Sequence, residues 1–288
     1  MELSMPRTVP ILAAVLVAAF AGGCQTRDLA PLALASAGPV VVAAPAAPAE
    51  DIAPGGGATG GCIAPPAGRG TLAGRTIAVS RISDIALAKG EVVLTFDDGP
   101  RPGTTPRVLD ALDAAGVRAT FLMVGQMARA YPGLVRAVAA RGHTIGTHTD
   151  DHANLTKMST DAAFSDIARG EKAVAAALSG SGHAAAPFFR FPYLADSPSL
   201  RAALARRGTV VLDVDIDSRD YVKSSPAAVL ARTMATLKAR GRGIILFHDI
   251  HARTAAALPG FLASLSTEGF RVVHLVPAGW PGCGSPGA

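Results

Sequence analysis

From Glu91 to Val273, short β-rich apolar runs alternate with stretches whose apolar residues recur at helical spacing, and this alternation constrains the fold most tightly. Glu91–Phe96 (EVVLTF), Ala119–Val124, His143–Thr147, Pro187–Phe191, Thr209–Asp213, Gly243–Phe247 and Phe270–Val273 read as strands. Between them, Thr104–Ala115, Pro132–Arg141, Thr160–Leu178, Ser199–Arg207, Ser225–Arg240 and Ala255–Ser266 read as helices, the first two closed by Gly116 and Gly142. A strand joined to the next strand through a helix needs a crossover, so the class is α/β with a largely parallel sheet. About seven such units can close into a barrel or remain a doubly wound open sheet, and periodicity does not choose between them. Apolar residues make up 49% of the 288 positions, which is ample material for a core.

Both architectures place their chemistry in the loops at the C-terminal ends of the strands. Polar residues cluster there. Asp97-Asp98 follow EVVLTF, His148 follows HTIGT and Arg190 closes PFF. Asp217 and Asp220 follow VVLDVDI, and His248-Asp249 follow GIILF. One such coincidence would be an ordinary turn, but five, all of types that bind metals or move protons, point to one site assembled from separate loops. In HTDDH, His148 and His152 stand four residues apart, close enough to turn both imidazoles to one side. Two imidazoles and one carboxylate with an open fourth position suit a catalytic zinc-type site, and Asp97 or Asp98 can supply the carboxylate. His143 opens a strand and is expected to be structural, while His183 and His274 belong to no such pattern. Asp249 and His251 can stand behind the site residues, but the reading preferred for both is a solvated loop, and at least one of Asp213 and Asp215 reads as a buried hydrogen-bonding residue.

These segments resemble the motif set of the polysaccharide deacetylases, carbohydrate esterase family 4, also called the NodB-homology domain. Thr95–Pro100 (TFDDGP), His148–His152 (HTDDH) and Arg190–Tyr193 (RFPY) are similar to the first three motifs. Asp217–Tyr221 (DSRDY) resembles the fourth, which usually ends in Trp, and Leu246-Phe247-His248 the fifth. The resemblance runs from about Glu91 to Val273. It implies a deformed (β/α) barrel of about seven parallel strands and a divalent metal, zinc for preference, with cobalt or another divalent ion as alternatives. Its ligands would be Asp98, His148 and His152. By the same resemblance Asp97 is the general base and Arg190 holds it ionised and oriented. The Tyr193 backbone N–H helps bind the oxyanion, and His248 is the general acid, with its pKa raised by Asp220. Leu246 lines the pocket for the acetyl methyl group. The implied activity is removal of N-acetyl groups from a polysaccharide containing N-acetylglucosamine, such as peptidoglycan, chitin or poly-N-acetylglucosamine. An O-acetyl esterase acting on xylan-type glycans and an inactive glycan-binding envelope lipoprotein are the rival readings. Amide hydrolysis needs help at both ends, and adjacent aspartates can divide the work, one on metal and one on protons.

The termini carry a different kind of information. Arg7 precedes an apolar run, Val9 to Phe20, which is too short to span a bilayer comfortably and has the proportions of a secretory signal. Ala21-Gly22-Gly23-Cys24 resembles a bacterial lipoprotein cleavage site, although Ala21 stands where Leu is usual. Residues 1–23 are therefore expected to be a signal peptide, with Cys24 as the lipid attachment site. The alternative is an ordinary cleaved signal. Residues 24–72, rich in Ala, Pro and Gly, read as a tether, 73–276 as the catalytic domain and 277–288 as a tail. If Cys24 carries lipid, Cys62 and Cys283 remain as an even pair in an oxidising compartment and can form a disulfide; two free thiols are the alternative. The expected location is the periplasmic or outer face of a membrane, the expected state a monomer. A net charge of +5 with no block of like charges, and aromatics at only 5%, argue against nucleic acid as a partner.

Overall fold

The computed structural model of the chain describes residues 71–280. The expected signal peptide, Cys24, Cys62, Cys283 and nearly all of the tether lie outside the described residues.

Nine strands, paired in parallel throughout, alternate with seven helices in the described chain. They are β1 (Ala73–Val79), β2 (Glu91–Asp97), α1 (Thr105–Ala114), β3 (Thr120–Met123), α2 (Gly125–Ala130), α3 (Pro132–Ala140), β4 (Thr144–Thr147) and α4 (Thr160–Leu178). Then follow β5 (Phe188–Phe189), α5 (Pro198–Arg206), β6 (Val210–Val211), β7 (Ile216–Asp217), α6 (Pro226–Arg240), β8 (Gly243–His248), α7 (Ala252–Thr267) and β9 (Arg271–Pro277). The seven strands expected from the sequence are β2–β6, β8 and β9; the ring itself is made by β2–β8, including the unexpected β7, in the order β7-β8-β2-β3-β4-β5-β6. The other two extend the sheet. β9 pairs with the first two residues of β2, and β1 pairs with β9. Among the described residues no ladder joins β6 to β7, so the ring is open at that seam.

Alternation along the strands sorts side chains into two layers. Val92, Leu94 and Phe96 of β2, Phe121 and Met123 of β3, and Ile245 and Phe247 of β8 pack outward in one cluster with α1 and α7. Val93, Leu122, Phe188, Val210 and Ile244 pack together inside the ring. Gly146 of β4 lies in that inner layer, where a Cβ would collide with the Phe188 carbonyl and a Leu122 methyl. One step further along the same inward rows come Thr95, Leu246 and then Asp97 and His248. The apolar plug thus ends where the polar residues begin.

Local chemistry sets the helix ends. Ser159 and Ser225 accept hydrogen bonds from the N–H groups of Ala162 and Ala228, three residues on, at the starts of α4 and α6. α6 closes on Gly241 in the left-handed conformation, whose N–H donates to the Leu237 carbonyl.

Candidate active site

Strand register brings the motif residues to one level. Asp97 pairs with His248 across β2 and β8 and with Leu122 across β2 and β3. Met123 pairs with Thr147, and Thr147 with Phe189. The residues that follow these strands, Asp98, His148 and Arg190, therefore rise from the same rim.

Three donor atoms converge at its centre. Asp98 Oδ1 lies 3.4 Å from His148 Nε2 and 3.2 Å from His152 Nε2. It is buried and accepts no hydrogen bond. His148 is buried, which pushes its imidazole below the usual histidine range and keeps it neutral near pH 7. Its Nδ1 lies 2.7 Å from the Arg190 carbonyl, so Nδ1–H donates there and the Nε2 lone pair faces Asp98. A carboxylate oxygen facing an imidazole lone pair with no proton between them is unfavourable unless a cation joins them. Tetrahedral coordination with bonds of about 2.0–2.1 Å puts ligand atoms roughly 3.3–3.4 Å apart, so the three residues fit a zinc-sized ion. Burial alone would raise the Asp98 carboxyl, but the His152 contact and the neighbouring imidazoles of His148, His248 and His152 bring it down to about 2, leaving an ionised carboxylate.

Backbone geometry explains how neighbours in sequence reach this point. Asp98, Thr149 and His152 all have left-handed backbone, with φ of 74°, 64° and 60°. Non-glycine residues hold that conformation only where surroundings over-determine it, at a cost of order 1–3 kcal/mol each. The surroundings are visible. The N–H groups of Gly125 and Gln126 in α2 donate to the carbonyls of Thr149 and Asp150 at 3.0 and 2.9 Å. The Asp150 carboxylate is clamped by Arg129 of α2 and Arg169 of α4. Gly170 of α4 lies flush against the Thr149 carbonyl, with no room for a Cβ.

Asp97 sits beside this centre, its Oδ2 3.9 Å from His148 Nε2. Its Oδ1 accepts from Arg190 Nη1 at 2.8 Å. Arg190 is 1% exposed and is the bulkiest fully buried side chain described. The same guanidinium donates to Thr95 Oγ1 and to the carbonyls of Leu212 and Asp213. Those carbonyls lie just past β6, beside the open seam, so Arg190 ties that edge of the ring across to β2 and supplies donors to carbonyls that no strand pairs there.

Across the cleft, His248 Nε2 lies 4.0 Å from Asp98 Oδ2. Its Nδ1 is 2.6 Å from Asp220 Oδ1, and its backbone N–H donates to Asp220 Oδ2. Burial works to lower the His248 pKa, but the bond to Asp220 and the charges of Asp220, Asp97 and Asp98 outweigh it and raise the pKa to about 9. Burial works against ionisation of Asp220 too, yet its bond to His248 holds it below the usual carboxylate range. His251 completes a second group of possible ligands with this pair. At 2.6 Å, however, the Asp220–His248 contact holds a proton and leaves no space for an ion.

Tyr193, 67% exposed with φ of 60°, packs edge-on against His152, and Tyr221, 50% exposed, packs edge-on against His248. The Tyr221 hydroxyl donates to Asp217 Oδ2, which fixes the ring where the family pattern has Trp. Leu246 is buried beneath the cleft, opposite Thr95 in the ladder.

Three expectations are corrected. Asp249 lies in no solvated loop: it is fully buried, and burial pushes its carboxyl up to about 7. His251 is half-buried at the start of α7. Asp213 and Asp215 are both exposed, paired with Arg201 and Arg240 respectively, although Asp215 also accepts the Ile244 N–H. His143 is buried just before β4, accepting from the Ala119 N–H, and His274 of β9 meets the Thr144 hydroxyl.

Residues 84–212 match the family model described as polysaccharide deacetylase. A peptidoglycan-N-acetylglucosamine deacetylase of Listeria monocytogenes is 34% identical over 184 residues, 64% of this chain but only 38% of the relative's length. A chitooligosaccharide deacetylase of Sinorhizobium fredii is 30% identical over 197 residues, covering 64% of this chain and 89% of the relative. Among solved structures, a peptidoglycan deacetylase of Bdellovibrio bacteriovorus superposes with a TM-score of 0.62 at 36% identity, covering 72% of this chain and 57% of that one.

Proposed function

The chain belongs to the polysaccharide deacetylase family, and on that premise we propose that it hydrolyses N-acetyl groups of a polysaccharide containing N-acetylglucosamine, releasing acetate. The observation that carries this reading is the convergence of Asp98, His148 and His152 between the Arg190-bound Asp97 and the Asp220-bound His248. These two flanks can serve the two ends of an amide. The relatives' activity on peptidoglycan and chitooligosaccharide supports the substrate class.

Asp98, His148 and His152 would hold a divalent cation, zinc by the nature of the donors. Such a cation supplies Lewis acidity, lowering the pKa of water towards about 7 and polarising the acetyl carbonyl. The remaining work falls to the chain. Arg190 occupies Asp97 Oδ1, which leaves Oδ2 to take the proton of the attacking water. As the water oxygen bonds to the carbonyl carbon, the Tyr193 backbone N–H helps bind the developing oxyanion. Asp220 holds Nδ1 of His248, so His248 donates its Nε2 proton to the departing nitrogen. The C–N bond breaks, giving acetate and a free amine. Leu246 receives the acetyl methyl group.

Acetate release from acetylated chitooligomer, peptidoglycan and acetylxylan, each with and without chelator, tests this. Release from the first two that chelator abolishes agrees with it. Release from acetylxylan alone makes the enzyme an O-acetyl esterase, and no release from any refutes the hydrolase reading and leaves the glycan-binding one to be tested by binding. Attachment to a membrane through lipidated Cys24 is part of the same proposal, supported by the sequence around Gly22-Gly23-Cys24. Cys24→Ser should move the protein from the membrane to the soluble fraction, and a soluble wild type without acyl mass refutes the anchor.

A further inference from the structure

Asp249 has no place in that chemistry, yet its burial is complete. It follows His248 at the end of β8, and no cation pairs with it among the described residues. One carboxyl oxygen, Oδ2, accepts from the Thr105 hydroxyl at the start of α1. The other, Oδ1, is buried with no partner. A carboxyl kept in this condition costs stability, so what it touches matters.

It touches the turn that carries Asp98. A Cβ on Gly99 would fall on the Asp249 carboxyl, so the carboxyl fills the space that only glycine leaves open there. Thr105 Oγ1, which donates to Asp249, itself accepts from the Arg101 N–H at 2.7 Å. The chain from Asp98 to Thr105 is thus pinned at Gly99 by packing and at Arg101 through the Thr105 hydroxyl. On its far side the Gly99 carbonyl accepts from the Val124 N–H at 3.2 Å. Asp98 begins this turn in the left-handed conformation, which aims its Oδ1 at the two imidazoles.

We propose that Asp249 is a positioning residue for the cation site: seated against Gly99 and anchored by Thr105, it fixes the turn that aims Asp98, and so sets cation affinity. The inference rests on reading Asp98, His148 and His152 as that site. Residues that orient first ligands typically contribute 10–100-fold to metal affinity.

Zinc dissociation constants of the full chain, measured by competition with a chromogenic chelator, test it alongside thermal melts. Asp249→Ala and Thr105→Val should each weaken zinc binding about 10–100-fold. Asp249→Asn, which still accepts from Thr105 and fills the same space, and Thr105→Ser, which keeps the hydroxyl, should stay within about threefold. A folded Asp249→Ala that binds zinc like wild type overturns the proposal. So does an Asp249→Asn loss as large as that of Asp249→Ala, because charge rather than positioning would then be at work. Should Asp249→Ala fail to fold, the Thr105 pair decides, and equal affinities for Val and Ser overturn it. A wild type that binds no zinc refutes the underlying site instead.

Discussion

Replacing Arg190 by Met should be among the most damaging single changes to the described domain. The guanidinium makes four hydrogen bonds: to Asp97 and Thr95 at 2.8 Å, and to the Leu212 and Asp213 carbonyls at 3.2 Å. Met fills much of the volume but restores none of them. Removing one partner of a buried ion pair costs about 3–5 kcal/mol, because the other charge is left uncompensated. Asp97, 2% exposed, is in that position. The Leu212 carbonyl, also buried, adds about 1–3 kcal/mol, while the Asp213 carbonyl is near enough to solvent to recover a partner. A total of about 5 kcal/mol is a large part of the roughly 5–15 kcal/mol that a domain has. With a urea dependence of about 2–3 kcal/mol per molar, the unfolding midpoint should drop by about 2 M. The assay is urea unfolding of cation-free protein in chelator, so that metal affinity does not enter. Asp97→Asn in the same chain removes the stranded charge, so the double variant should regain about half of the loss. If Arg190→Met shifts the midpoint by less than about 0.3 M, or if the double variant is no better than the single, the account of a buried charge pair inside the ring is wrong.

The two neighbouring aspartates should fail differently: Asp98→Ala should lose zinc and activity together, whereas Asp97→Asn should keep zinc and lose about 10²–10⁴-fold in turnover. Metal analysis beside turnover checks this, and the reverse pattern exchanges the roles. His248 must be protonated to act as an acid, so activity should fall as pH rises through about 9. Asp220→Asn removes the anion that raises that pKa and should move the basic limb of the pH–rate profile down towards 6.5; an unmoved limb assigns it to another group. His143 and His274 are depressed by burial, to about 3 and about 4, so they stay neutral while the unfolded chain takes up protons below about 6.5. Their contribution to stability is whole above that pH and is lost as pH falls towards those values, by about 4 kcal/mol for the two at pH 5. Urea midpoints at pH 7 and 5 measure it, and His274→Gln should remove about half of the acid slope; an unchanged slope refutes the assignment.

The alternation of strand and helix was legible because long elements repeat their pattern many times: β2, α4, α6 and β8 all lie within a residue or so of where spacing puts them. The rim residues were legible for a related reason, since parallel crossovers leave only the strand ends free for chemistry. β7 escaped notice because two residues carry no period, as did the six-residue α2. β1, with Gly74, Arg75 and Thr76 at its start, lacks the continuous apolar run that marks the inner strands. The choice between closed ring and open sheet was not in the local pattern at all. It is made by the pairing of β2 with β8, some 150 residues apart, and by one arginine that ties the end of β6, at the open edge, to β2. Asp249 shows the limit most plainly. In the sequence it is an acidic residue after a histidine, indistinguishable from a solvated turn. Its burial depends on Thr105, 144 residues earlier, and on the empty space at Gly99. Residue type and spacing thus determine which groups can act, because helix and strand periods are local. Which of them are buried, ionised or aimed at one another depends on contacts between distant segments, and only the folded chain makes those.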